Sequence, residues 1–321
     1  MAQNWDVICV GAALVDVPLK PVDKSIFDHE SYPLDNIAMT IGGDAINEAT
    51  ILSRLGAKVA LNALVGNDPA GWYIRSFCEK NGVDTKGLTV DEAVNTSINI
   101  GLVAADGERT FVTNRNGSLW KMELQHVNME LIAQARVLSL ASFFNNPRLD
   151  GKALVEVFRR AKDAGLIICA DMIFPRLGET LEDVREALSY VDYFFANRDE
   201  AALLAQKESL QEIADVFLVA GVRNIIIKVG KDGCYIQNAE QAYSIPAFKG
   251  AKMADTIGAG DNFAAGFIRA ILDGRSVKEC GEYANAVASL SVEGVGATSG
   301  VRSREQVKER YEAYRMQGGD R

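Results

Sequence analysis

Asp261 follows three small residues, Gly258, Ala259 and Gly260, inside DTIGAGDNFAAGF, the stretch from Asp255 to Phe267. A helical pattern opens there: Phe263, Phe267, Ile268, Ile271 and Leu272 share one face, and Gly274 ends it. The first N–H groups of a helix lack an internal acceptor and carry the positive end of the macrodipole, so small residues leave them open to an anion such as phosphate. A carboxylate beside those donors stays ionised and can accept the proton of an attacking hydroxyl. An anion cradle next to a base suits phosphoryl transfer to an alcohol. A lone aspartate in this position reads more simply as a helix cap after a tight turn.

The whole string is more specific than its parts. DTIGAGDNF closely resembles the DTxGAGD signature of the ribokinase-like (PfkB-type) carbohydrate kinases, and the resemblance extends over most of the chain. It implies transfer of the ATP γ-phosphate to a sugar-type hydroxyl with Mg2+, Asp261 as base and the backbone of Gly258, Ala259 and Gly260 as anion hole. Asn262 departs from the small residue more usual after the base. GGDAINEA resembles the family's first signature, which implies sugar contacts from Gly42, Gly43 and Asn47; Asp44 replaces a small residue and leaves the substrate open. VGAALVD implies that Asp16 binds sugar hydroxyls. ANRDE resembles the NxxE motif, so Asn197 and Glu200 are expected to position Mg2+ and phosphate. Lys228, Gly230 and Gly233 match the family's KxGxxG nucleotide stretch. The helix and loop at 277–300 imply adenine contacts, assigned to Asn285 and Gly296. In some members a monovalent cation such as K+ lies near the backbone after the residue that is Asp255 here. ADMIFPR places Asp171 and Arg176 loosely like the DxNxR stretch of fructokinase and ketodeoxygluconate kinase relatives, without the asparagine.

Residue types alone leave plainer alternatives open. Asp16 serves equally as a capping or turn carboxylate, and the Gly42-Gly43 pair as a flexible turn before a capped helix. Asn197 and Glu200 fit a capping box, and Lys228 a solvated strand end.

The elements that must position these residues follow from periodicity. VICVGAALVDV (7–17) and KVALNALVG (58–66) read as strands buried on both faces, and 41–56 and 71–82 as helices. NTSINIGLV (95–103) and RTFVTNRNG (109–117) flank a turn at 105–108 and read as a hairpin. The resemblance makes such strands a lid over the sugar and often a dimer contact, with Asn99, Arg109 and Arg115 as pocket candidates; a solvated hairpin face is the plainer reading. From residue 131 strands and helices alternate, which gives a parallel sheet covered on both faces with ligands at the carboxyl ends of its strands. The helix at 304–315 reads as a solvated terminal one. The expected architecture is a ribokinase-like α/β fold: one kinase domain over 1–321, a mainly parallel doubly wound sheet flanked by helices, and a lid from roughly 14–40 and 95–116.

Composition narrows the function further. With 321 residues, 48% hydrophobic, the chain can bury a substantial core. A net charge of −9 argues against tracking nucleic acid or an anionic membrane. No run approaches the roughly 20 apolar residues of a membrane span, and MAQNWDVICV lacks a signal pattern, so the expected location is cytoplasmic. Five scattered cysteines suit buried reduced thiols, and two isolated histidines make triads and multi-histidine metal sites poor candidates. Gly294, Gly296 and Gly300 do not have dinucleotide-fingerprint spacing, and no Walker loop is present. The expectation is a kinase for a small sugar or sugar acid, with a nucleoside kinase or a silent sugar or nucleotide sensor as alternatives.

Overall fold

The computed structural model describes residues 3–106 and 108–318. Its strands are β1 (Trp5–Val10), β2 (Leu14–Leu19), β3 (Thr40–Gly42), β4 (Val59–Asn62), β5 (Leu64–Gly66), β6 (Thr89–Asp91), β7 (Ile98–Val103), β8 (Arg109–Thr113), β9 (Ala135–Phe143), β10 (Ile167–Met172), β11 (Tyr193–Asn197), β12 (Asn224–Lys228), β13 (Cys234–Asn238) and β14 (Ala242–Ile245). The main sheet has eight of them, in the order β14-β13-β12-β11-β10-β9-β1-β4. All neighbours from β4 to β12 are parallel, and β13 and β14 add an antiparallel edge.

Alternate residues of each central strand enter opposite cores, as a doubly covered parallel sheet requires. Val7 and Cys9 face the helices Asp44–Arg54 and Ala259–Leu272, whereas Ile8 and Val10 face the layer that includes Lys152–Asp163 and Leu210–Val219. Phe194 and Phe195 divide in the same way. Phe195 packs edge-on against Phe263 and Phe267 of the helix that carries Asp261, and Phe194 against Phe143 and Phe217.

The apolar run 7–17 is two strands, not one. The chain leaves the main sheet after Val10, and β2 joins a second, four-stranded sheet ordered β3-β2-β7-β8. A hydrophobic run cannot by itself reveal a change of sheet, because both strands are apolar where they enter the core. Asp16 therefore lies within β2, opposite Thr40 of β3 and Asn99 of β7, and Asn99 pairs in turn with Thr113. These four share one face, and Ile98, Ile100 and Val112 share the other. Residues 58–66 likewise split into β4 and β5, the latter pairing with β6. The 95–117 hairpin forms as β7 and β8, though Gly107 of its predicted turn lies outside the described residues.

The last helix, Arg304–Gly318, is not merely solvated. Val307, Tyr311 and Tyr314 are buried, with Tyr311 edge-on against Tyr283 of the helix Val277–Ser291. Its charged residues mask this narrow apolar stripe in the sequence. All five cysteines are free and buried, and no helix among the described residues is long and apolar enough to cross a membrane.

Phe267 is fully buried between Tyr193, Phe195 and Phe263. Phe267→Ala is expected to lower unfolding free energy by about 3–5 kcal/mol, read from denaturant midpoints. A loss below about 1 kcal/mol would show that this contact does not anchor the helix.

Candidate active site

The helix Ala259–Leu272 starts from Gly258, which has a left-handed φ of 72° and lies so close to Ala297 that a Cβ would come within 2.6 Å of the alanine Cβ. Glycine alone satisfies both conditions. The Ala259 amide donates to the Thr256 carbonyl, and among the described residues the amides of Gly260 and Asp261 have no protein acceptor. Lys228, at the carboxyl end of β12, brings Nζ to 3.2 Å from where a Cβ on Gly260 would stand. Two unengaged amides, a helix N-terminus and an ammonium thus converge on one point, an arrangement suited to a phosphate.

Asp261 sits at that point. Asn47, in the first turn of Asp44–Arg54, donates from Nδ2 to Asp261 Oδ2 at 2.9 Å. Burial drives the Asp261 carboxyl up to about 7, and the charges of Asp44 and Asp171 add to this against the Asn47 hydrogen bond and Lys228. Burial also opposes the Lys228 ammonium, but Asp171, Glu200 and Asp261 outweigh it and hold its pKa above the usual value. Lys228 is ion-paired with Asp171, which is buried at the end of β10.

Of the predicted sugar-side residues, Asp16, Gly42 and Asn99 fall together. The Asp16 carboxylate lies against Gly42, where a Cβ would stand 1.9 Å from Oδ2, so the glycine is required there. Gly43 caps the helix that carries Asn47. Burial raises the Asp16 pKa, and a hydrogen bond from Asn99 works against the rise. Asp16 Oδ1 and Asn47 Oδ1 are both buried without a partner, acceptors suited to hydroxyl donors. Arg109 opens β8 opposite Val103, at the end of the hairpin away from Asn99, and its side chain is outside the described residues. Arg115 lies over the ring of Trp120 at 6.0 Å, and Arg176 over the same ring at 5.6 Å.

On the nucleotide side several residues carry structural duties. Asn197 and Glu200 form a capping box, with Asn197 Oδ1 accepting from the Glu200 amide at 2.8 Å and Glu200 Oε2 from the Asn197 amide at 3.1 Å. This box sits beside Lys228 in the sheet register, and burial brings Glu200 to about 7, moderated by the Lys228 charge. The open flank of Gly230 meets nothing within 4 Å, whereas a Cβ on Gly233 would strike the Ile245 carbonyl at 2.0 Å, so Gly233 serves the packing of β14. Asn285 is buried, and its amide donates to the carbonyls of Ile245 and Pro246. Asp255 accepts from the Ile257 and Gly296 amides, one on each oxygen, which ties Gly296 in place. Asn262 is likewise a clamp, donating to the carbonyls of Gly258 and Ala297.

Residues outside the sequence assignment also belong here. Asp44 accepts from Asn145, and Asn145 accepts from Arg176. Glu48, one helical turn beyond Asp44, is buried against Cys9 and Ser139, and burial takes its carboxyl to about 8. Asp171 at the end of β10 and Asn145 just beyond β9 occupy a position that fold topology favours for ligands, and the folded chain sets the Asp171 charge beside Asp261. Asp261 is expected to titrate near pH 7 by carbon-detected NMR, and Asn47→Ala, which removes a stabilising donor, moves the midpoint higher. A wild-type midpoint near 4 would contradict this balance.

A family model described as pfkB family carbohydrate kinase matches residues 5–304. An ATP-dependent ribose-1-phosphate kinase of Halopiger xanaduensis is 34% identical over 258 residues, 80% of this chain and 82% of its own. The 2-dehydro-3-deoxygluconokinase of Bacillus subtilis is 26% identical, over 86% of this chain and 88% of its own. Among solved structures, Arabidopsis thaliana ribokinase complexed with ribose and ATP superposes with a TM-score of 0.83 at 21% identity, covering 97% of this chain and 99% of that one. A putative ribokinase II of E. coli in complex with ATP and Mg2+ gives 0.80 at 21% identity, covering 96% and 99%. The chain belongs to the PfkB family of carbohydrate kinases, phosphotransferases with a hydroxyl as acceptor.

Proposed function

We propose that this protein transfers the γ-phosphate of ATP to a hydroxyl of a small sugar acid, with Asp261 as the general base. The observation that carries the reading is Asp261 itself, a carboxylate poised near neutrality beside unengaged helix amides and the Lys228 ammonium. The acceptor is held by Asp16 and Asn47 through their unpartnered oxygens. Asp261 takes the hydroxyl proton as the oxygen attacks phosphorus, and the Gly260 and Asp261 amides with Lys228 balance the charge on the transferred group. Lys228 acts as a point charge there, its position fixed by Asp171.

Magnesium fits the donor set through the nucleotide. Among the described residues no group of three or more His, Cys, Asp or Glu side chains could hold a metal ion, and Mg2+ usually keeps several waters while binding one or two carboxylates and substrate phosphates. Glu200 would hold it through water, where it supplies charge neutralisation at the phosphates. The preference for an acid rests on Arg115 and Arg176, two guanidiniums at one indole, which suit a carboxylate on the substrate. Trp120 Nε1 is a buried donor without a partner beside them.

The chain is read as one domain, with the four-stranded sheet closing over the substrate as a lid. The outer residues Ile98, Ile100 and Val112 are 37%, 38% and 53% exposed, an apolar patch that supports pairing with a second copy. Val112→Glu is expected to convert a dimer to a monomer in sedimentation velocity; a wild-type monomer at high concentration would end this reading.

Coupled ATP consumption with Mg2+, measured on sugar acids, neutral sugars, sugar phosphates and nucleosides, tests the assignment. Turnover is expected on sugar acids and should drop roughly 10²–10⁴-fold in Asp261→Asn. Because the base must be ionised and its pKa is raised, kcat/KM falls as pH drops below about 7. An unchanged Asp261→Asn enzyme would sink the base assignment, and ATP binding without turnover on any acceptor would favour a sensor.

A further inference from the structure

The chain turns sharply just beyond β9. Phe144 has a φ of 68°, the left-handed region that a bulky residue avoids, and is fully buried among Phe143 and its neighbours. Asp150 accepts from the Phe144 amide and fixes the turn. The residue this strained turn presents is Asn145, only 7% exposed. Its Nδ2 donates to Asp44 Oδ2 at 2.6 Å, and its Oδ1 accepts from Arg176 Nη2 at 2.7 Å. With a carboxylate on one side and a guanidinium on the other, only this amide orientation satisfies both neighbours.

Asp44 and Arg176 carry opposite charges close enough to interact, yet one neutral amide stands between them. Among the described residues Arg176 forms no salt bridge. It donates to Asn145 and lies over Trp120, and although the charges of Asp44 and Glu179 act on it, neither carboxylate pairs with its guanidinium. A direct Asp44–Arg176 pair would cancel that charge. A carboxylate at position 145 would do the same.

Building on the sugar-acid reading above, we propose that Asn145 is a positioning residue for substrate specificity, a neutral spacer that keeps Arg176 from pairing with Asp44 and so available to the carboxylate of the acceptor. The spacer engages the guanidinium through one donor, and among the described residues no other protein acceptor takes up the fork, which suits a planar carboxylate. Asp44 benefits as well, since it gains a donor without losing its own charge to an ion pair.

The test compares kcat/KM for sugar acids with that for neutral sugars of the same chain length in wild type and Asn145→Asp, a change that keeps shape and supplies a charge to Arg176. The acid-to-neutral ratio is expected to fall roughly 10- to 100-fold, the worth of a charge-assisted hydrogen bond, chiefly through KM for the acid. Asn145→Ala, which lets Arg176 collapse onto Asp44, should shift the ratio in the same direction if the aspartate variant does not fold, with thermal melting as the check on folding. A wild type that prefers acids and variants that keep the same ratio overturn the spacer role alone. A wild type with no acid preference overturns both this role and the sugar-acid reading.

Discussion

The site depends on a carboxyl group that is removed from water without being given a full counter-charge. Asp261 is caught between one amide donor from Asn47 and an ammonium already shared with Asp171, while Asp44 adds a second negative field. Were Lys228 a dedicated partner, Asp261 would stay ionised far below neutrality and be a weak base. Were Asn47 absent, the carboxyl would lose a hydrogen bond that favours its charged form. The intermediate result requires three separate elements to meet: the helix Asp44–Arg54 hydrogen-bonds Asp261 through Asn47, and the end of β12 sets the Lys228 charge beside the start of Ala259–Leu272.

The packing explains how that meeting is enforced. Helix Ala259–Leu272 lies on the sheet through Phe263 and Phe267 and is joined at its N-terminus to the loop at Ala297 by Asn262 and the bare flank of Gly258. Arg54, at the far end of the Asn47 helix, donates to the Val301 carbonyl of the segment that follows the same loop and to Asn81. The helix that brings Asn47 and the loop that braces the anion site are therefore tied together at a distance from the chemistry. Close-packed interiors transmit such constraints because they have little room to yield.

Much of this was legible in the sequence, for physical reasons that differ by residue. Helices, the parallel sheet and the small-residue approach to Asp261 all leave local marks: apolar periodicity, strand-helix alternation and adjacent glycines. The family resemblance supplied the catalytic reading, and the matched family model covers nearly the whole chain. What stayed hidden is what depends on where separate segments meet. The break between β1 and β2 leaves no local mark because both halves are apolar. An amide such as Asn285 is as useful to adenine as to two carbonyls, and its bonds to Ile245 and Pro246 exist only in the folded chain. Asn145 leaves no local mark, since a buried amide has no sequence pattern, and its neighbours Asp44 and Arg176 lie far from it along the chain.

The strand order has a consequence for how the chain becomes ordered. β1 precedes both of its sheet neighbours along the chain, lying between β4 and β9, so one of its two edges stays unpaired until residues 135–143 have been synthesised. β2 likewise waits for β7 before it has its parallel neighbour. Both cores adjoining β1 therefore close through contacts between distant parts of the chain, a topology that slows folding. An N-terminal fragment that ends before β9 exposes an apolar, unpaired strand edge, a surface prone to aggregation. The same crossing that sets Asp16 beside Asn99 makes everything before β9 dependent on the rest of the chain.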